Sequence, residues 1–243
     1  MFKFVILLSV VACALGTIIS EGLLPKLSGH ILGGSLTTNI DFPHMVSVQG
    51  PGICGGSLIT VNVVVTAAHC VEGAPASKLN VVAGARLLNI GVDRLKVSRT
   101  IIHANYSSTT MANDIALLRL SKPVTLSPNI QPIALASSNP ANGASAVVTG
   151  WGNLISNLLP KFLFKMEVKF LDYTSCGIHY SNVLDTHVCA FRENAFMGDS
   201  GSPLVYNNKL IGISSWGRTT LGSPTGYTSI PSHYDWINAN TED

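Results

Sequence analysis

Lys165-Met166-Glu167-Val168-Lys169-Phe170 alternates charged and apolar residues without a break. Side chains of a β-strand point to opposite faces in turn, so this stretch predicts a strand with one wet face and one buried face. The same pattern extends along the chain. Val46 to Val48, Val63 to Ala67, Leu79 to Ala83 and Val97 to Ile102 are short apolar runs between turn residues, and each predicts a strand. Leu204 to Tyr206 and Leu210 to Ile213 flank Asn207-Asn208, a pair that tolerates the left-handed conformation of a tight hairpin. Helical periodicity is almost absent, so the expected class is all-β and antiparallel. Only the C-terminal end looks helical, with Ser232 placed to cap a short segment carrying Tyr234, Trp236 and Ile237. Prolines and a glycine interrupt the strand pattern between Ser127 and Gly143, where an internal boundary is expected.

Composition bounds what such a chain can do. The 243 residues are 47% hydrophobic and only 12% charged, which excludes a disordered tail and leaves room for a large core. A net charge of +2 with scattered basic residues argues against a nucleic-acid partner. Residues 1–16 read as a secretory signal: Lys3 supplies the positive start, Phe4 to Leu15 the apolar run, and Ala12, Ala14 and Gly16 the small residues of a cleavage site. That run is too short to span a bilayer, and no later one is long enough, so no membrane association is expected. The protein is expected to be secreted and extracellular. Residues 17–30 look like a short pro-segment. Beyond the signal, Cys54, Cys70, Cys176 and Cys189 remain, an even number that in an oxidising compartment predicts two disulfides in one of three pairings. They are too widely spaced for a compact zinc site, and neither metal nor cofactor is expected.

Three stretches carry candidate chemistry. Met197-Gly198-Asp199-Ser200-Gly201-Ser202-Pro203 sets a serine between glycines, but by itself it reads as a turn before it reads as a catalytic site. Thr66-Ala67-Ala68-His69-Cys70 follows an apolar run and offers a base whose ordinary pKa lies near neutrality. A bond from Cys70 back to Cys54 would pin its loop and be worth about 3 kcal/mol in chain entropy. Asn113-Asp114-Ile115-Ala116-Leu117-Leu118 places an acid at the mouth of an apolar strand, where it is either a turn residue or an internal hydrogen-bond acceptor.

Taken together and in this order, TAAHC, NDIALL and GDSG resemble the chymotrypsin/trypsin family of secreted serine proteases. Cys54 to Ile59 (CGGSLI), Gly150 to Gly152 (GWG) and Ser215 to Gly217 (SWG) belong to the same resemblance, which covers the chain from Ile31 onward. It implies two antiparallel six-stranded β-barrels (31–138 and 139–243), the second with a short C-terminal helix, and an active site in the cleft between them. It further implies that Ser200 attacks the peptide carbonyl, that His69 takes and returns the proton, and that Asp114 orients His69. The N–H groups of Gly198 and Ser200 would receive the oxyanion. Cleavage before Ile31 would free an ammonium that pairs with Asp199, so the chain would be made as a zymogen. The implied partners are a protein or peptide substrate, an activating protease and protein inhibitors of proteases, and the expected state is a monomer.

The sequence departs from the family at several places. His30 stands before Ile31, where most family zymogens carry Arg or Lys. Phe196 replaces the cysteine usual four residues before the serine, and Arg218 to Gly226 contains no partner for it. Trypsin-like members carry an aspartate six residues before the serine, and here that residue is Asn194, with Glu193 beside it. Ser215, Trp216, Gly217 and Thr225 would complete the pocket, Gly217 leaving one wall open and Thr225 narrowing the floor. These features imply a chymotrypsin- or elastase-like preference for small or medium apolar side chains. Asn105-Tyr106-Ser107 matches an N-glycan acceptor pattern. A second reading, a protease homologue that binds or regulates without catalysis, follows if the altered activation site or pocket has ended turnover.

Overall fold

The computed structural model describes residues 34–88, 90–91, 93–152, 162–192, 199–217 and 222–242. The expected signal, pro-segment, His30 and Ile31 lie outside these residues, as do Glu193, Asn194, Phe196 and Gly198.

Strand β1 (Ser35–Leu36) is followed by β2 (Met45–Gln49), β3 (Ile53–Leu58), β4 (Val63–Thr66), β5 (Asn80–Ala83), β6 (Asp93–Ile102) and β7 (Ala116–Leu120). The last six close into an antiparallel barrel in the order β2-β3-β4-β7-β6-β5. Their inward residues, among them Val46, Val48, Leu58, Val64, Val81 and Leu118, form one core. Fully burying each such side chain is worth about 1.5–3 kcal/mol, so the alternating pattern fixes which face turns inward. At Ser98 the register of β6 on β7 shifts. Its hydroxyl donates to the Arg119 and Leu120 carbonyls at 3.0 and 3.3 Å, occupying the acceptors that the bulge exposes.

The chain then passes from one barrel to the other. Ile133 N–H still donates to Leu58 O, whereas Ala136 N–H donates to Leu210 O. Between them β8 (Ala134–Leu135) pairs in parallel with a strand of the second barrel. That barrel comprises β9 (Ser145–Gly150), β10 (Phe164–Leu171), β11 (His187–Phe191), β12 (Pro203–Tyr206), β13 (Lys209–Gly217) and β14 (Thr225–Ser229). It runs β10-β11-β14-β13-β12-β9 and closes through pairing of β9 with β10. Phe164, Met166, Val168 and Phe170 are buried while Glu167 and Lys169 are exposed, as the alternation of this stretch predicts. Asn207 and Asn208 adopt φ of 48° and 56° in the β12–β13 hairpin, the expected left-handed pair.

The C-terminal helix is present as α2 (Tyr234–Thr241), but Ser232 does not cap it. Pro231 starts a 3-10 turn, Pro231–His233, that places Ser232 inside the turn, with its N–H on Ser229 Oγ at 3.4 Å. The sequence reading also missed α1 (Tyr173–Gly177), whose cap is Asp172, accepting from Ser175 N–H at 2.8 Å. A third core joins the barrels: Val63, Val65 and Leu117 meet Leu210 and Ile213, and Ile237 of α2 packs into the same cluster. This apolar seam holds the two halves of the site in fixed relation.

Candidate active site

The residues picked out in the first half converge. Asp114 has no exposed surface, and a buried carboxylate is costly unless donors surround it. Three do. His69 N–H donates to Oδ1 at 2.9 Å, the His69 ring places Nδ1 at 2.7 Å from Oδ2, and Ser215 Oγ donates to Oδ2 at 2.5 Å. Because a carboxylate only accepts, Nδ1 carries a proton in this pair, and the neutral ring presents its lone pair at Nε2. Ser215 reaches the acid because of a strand irregularity. Ser214 pairs with Tyr227 and Trp216 with Gly226, so Ser215 is the bulged residue of β13 and its side chain is re-aimed toward the cleft. The sequence places it among the pocket residues, and its hydroxyl also serves the acid.

His69 lies on a 3-10 turn, Ala68–Cys70, directly after β4. Cys70 is bonded to Cys54 of β3, which anchors that turn, and Cys176 is bonded to Cys189. His69 and Ser200 line one cavity of about 330 Å³ together with Asp199, Trp151, Gly152 and Ile53. A second cavity of about 750 Å³ is lined by Met111, Tyr180, Leu184 and Trp216. The first holds both the serine and the histidine and is the candidate site despite its smaller volume. Near it, Tyr106 has its hydroxyl 3.5 Å from Glu72 Oε2. Burial, reinforced by the charges of Asp114 and Glu72, raises its pKa to about 12, which keeps it neutral.

The backbone of Ser200 is set by contact between the barrels. Gly55 N–H of β3 donates to Ser200 O at 2.8 Å, and Gly201 N–H donates to Ser214 O at 2.7 Å. Gly201 has φ of 81°, and a Cβ there would collide with Gly55 O and Thr66 Oγ1. Only glycine meets both conditions. Asp199 accepts from the backbone N–H groups of Trp151 and Gly152, the latter at 2.9 Å. The GWG stretch thus sits against the residue that precedes the serine.

Of the expected pocket residues, Asn194 lies outside the described residues, and Trp216 lines the second cavity rather than the one that holds Ser200. Gly217 pairs with Thr225, and a Cβ on Gly217 would lie 3.6 Å from Thr225 Oγ1, so the two face each other across the β13–β14 ladder. The Trp216 ring covers Gly226, which leaves no room for a side chain there, and meets the Tyr180 ring edge-on at 5.0 Å. Tyr180 donates its hydroxyl to Pro224 O, one residue before Thr225. Sequence reasoning missed Tyr180, because a lone tyrosine in a polar loop carries no periodic or motif signal. Asn105 is exposed, on a turn whose carbonyl accepts from Asn113 Nδ2 at 3.0 Å. No helix among the described residues is long and apolar enough to cross a membrane.

Comparison with known proteins agrees with this geometry. The family model described as Trypsin matches residues 31–237. Trypsin delta of Drosophila erecta is 44% identical over 252 aligned residues, covering 99% of this chain and 100% of that protein. Trypsin gamma of Drosophila melanogaster is 42% identical with the same coverage, and Trypsin alpha-4 of Lucilia cuprina 40% identical over 98% of this chain and 97% of its own length. With two closed barrels, a serine and a histidine in one cleft and near-complete alignment to these relatives, the chain belongs to the trypsin family and is a serine endopeptidase that acts on protein substrates.

Proposed function

We propose that this endopeptidase works through Ser200, His69 and Asp114. Ser200 Oγ attacks the peptide carbonyl as its proton passes to His69 Nε2. The tetrahedral oxyanion is received by the N–H groups of Gly198 and Ser200, and collapse returns the proton to the leaving amine, leaving an acyl-enzyme. Water then enters by the same proton route and releases the acid. Asp114 keeps the proton of neutral His69 on Nδ1 and stabilises the imidazolium that forms. The observation that carries this reading is the 2.7 Å His69–Asp114 contact, buried on its acid side, in a cleft that His69 shares with Ser200. Ser200→Ala is expected to fold as the parent does and to lose about 10⁴-fold or more in kcat. Unchanged hydrolysis by the folded variant contradicts the assignment.

The protein is further read as a secreted zymogen, with the signal in residues 1–16 and Ile31 becoming the new N-terminus that pairs with Asp199. His30 before that bond points to an activator of other than tryptic specificity. The relatives' names favour cleavage after Lys or Arg. Asn194 and Thr225 favour apolar side chains instead, because a cation facing a neutral amide in a narrowed pocket lacks an ionic partner, at a cost of several kcal/mol, unless the shortened loop turns Glu193 inward. Asn105, exposed and within an acceptor pattern, is the position for an N-glycan.

A further inference from the structure

The turn that delivers Asp114 is held from the second barrel. Met111 and Asn113 both stand in the left-handed region, with φ of 57° and 50°. Asparagine visits that conformation readily, whereas methionine keeps it only where its surroundings over-determine it. Four side chains hold the turn. His187 Nε2 lies 3.0 Å from Met111 O, and His233 Nε2 lies 3.0 Å from Asn113 Oδ1. Thr228 Oγ1 donates to Asp114 O at 2.9 Å, and Ser215 Oγ to Asp114 Oδ2 at 2.5 Å. All four come from β11, β13, β14 or the 3-10 turn after β14.

The protonation of His187 can be read from its contacts. Its side chain is fully buried. Leu184 N–H points at Nδ1 from 3.2 Å. A backbone N–H can only donate, so Nδ1 is the bare nitrogen and the proton sits on Nε2, where it donates to Met111 O. A doubly protonated ring would set two donors against each other at Nδ1. Burial lowers the pKa of this ring, opposed by its bond to Met111 and by the charges of Asp114 and Asp185. His233 also bears on it electrostatically, and the Trp216 ring meets the His187 ring edge-on at 5.5 Å.

We propose that His187 is a positioning residue for peptide hydrolysis: as the neutral Nε2–H tautomer it ties the Met111 carbonyl of the first barrel to β11 of the second, and so fixes where Asp114 meets His69. The proposal rests on Asp114 orienting His69. Without the tie the turn is free to relax, and the carboxylate drifts from the ring that must become charged in the transition state. A short ester or anilide substrate that does not reach the Met111–Trp216 cavity isolates this effect from binding.

With such a substrate, His187→Leu is expected to lower kcat on the order of 10- to 100-fold while KM stays within about twofold. His187→Gln, whose amide can donate to Met111 O and accept from Leu184 N–H, recovers most of the loss. The low-field proton resonance of the His69–Asp114 hydrogen bond shifts or broadens in His187→Leu and returns in His187→Gln. A wild-type kcat in His187→Leu, or a lower kcat with that resonance unmoved, overturns the proposal. If His187→Leu does not fold, imidazole nitrogen-15 shifts of the parent protein decide: Nε2–H supports the proposal and Nδ1–H overturns it. Asp114→Asn in the same series separates the two levels. An active Asp114→Asn overturns the Asp114 reading and this proposal with it, whereas an inactive one beside a wild-type His187→Leu overturns the role of His187 alone.

Discussion

Acid should destabilise this fold through His44. The residue is 6% exposed at the edge of β2, and its Nε2 has no hydrogen-bond partner. Burial pushes its pKa down from 6.5 to about 4. The folded value lies below the unfolded one, so the unfolded chain binds the extra proton between those limits. The stabilisation is complete above about pH 6.5 and is lost as pH falls toward about 4. At 1.36 kcal/mol per pKa unit this amounts to about 3 kcal/mol. His44→Leu keeps apolar contact with the neighbouring Phe42 ring and removes both the titration and the orphan nitrogen. At pH 7 the variant should be as stable as the parent or about 1 kcal/mol better. Denaturant unfolding followed by tryptophan fluorescence at about pH 7 and pH 4, in a Ser200→Ala background that prevents self-digestion, measures the difference. His103, His187 and His233 are also shifted downward by burial and contribute equally to both proteins, so the change in difference isolates His44. Equal acid losses in parent and variant refute the reasoning.

Gly201→Ala forces a side chain into a left-handed position against the backbone of β3, and should cost about 2–5 kcal/mol with loss of activity; wild-type stability in thermal unfolding would show that the barrels do not meet there as described. If cleavage before Ile31 frees an ammonium that pairs with Asp199, that amine, ordinarily near pKa 8 in a free chain, should hold the active state at neutral pH and release it as it deprotonates in alkaline buffer. A flat activity profile into strongly alkaline buffer counts against that pairing. A peptide panel should be cleaved after small or medium apolar residues, and predominant cleavage after Arg and Lys removes the case built on Asn194 and Thr225.

What the sequence disclosed follows from how each feature is encoded. β10 was legible because one face is wet and the alternation writes itself into consecutive residues. β14 was not legible, since Thr225–Ser229 is buried on both faces and its small polar residues carry no period. His69, Asp114 and Ser200 could be picked out by motif, whereas the meeting of His69 with Ser200 in one cavity depends on the seam between barrels. The Ser215 contact depends on a bulge, a register event with no residue signature. His187 looks like any histidine beside a strand until Leu184 and Met111 are brought to its two nitrogens. Ser232 misled because its spacing fits a cap, while Pro231 one residue earlier had already set the turn.

The central claim is that Ser200 is a nucleophile activated by His69. After the N-terminus of the mature protein is confirmed as Ile31, incubation with a serine-directed fluorophosphonate and peptide mapping by mass spectrometry test it directly. The account predicts one covalent adduct, on Ser200, with labelling lost in His69→Ala. An unlabelled Ser200 in the correctly processed, folded protein, or labelling that persists without His69, would contradict it.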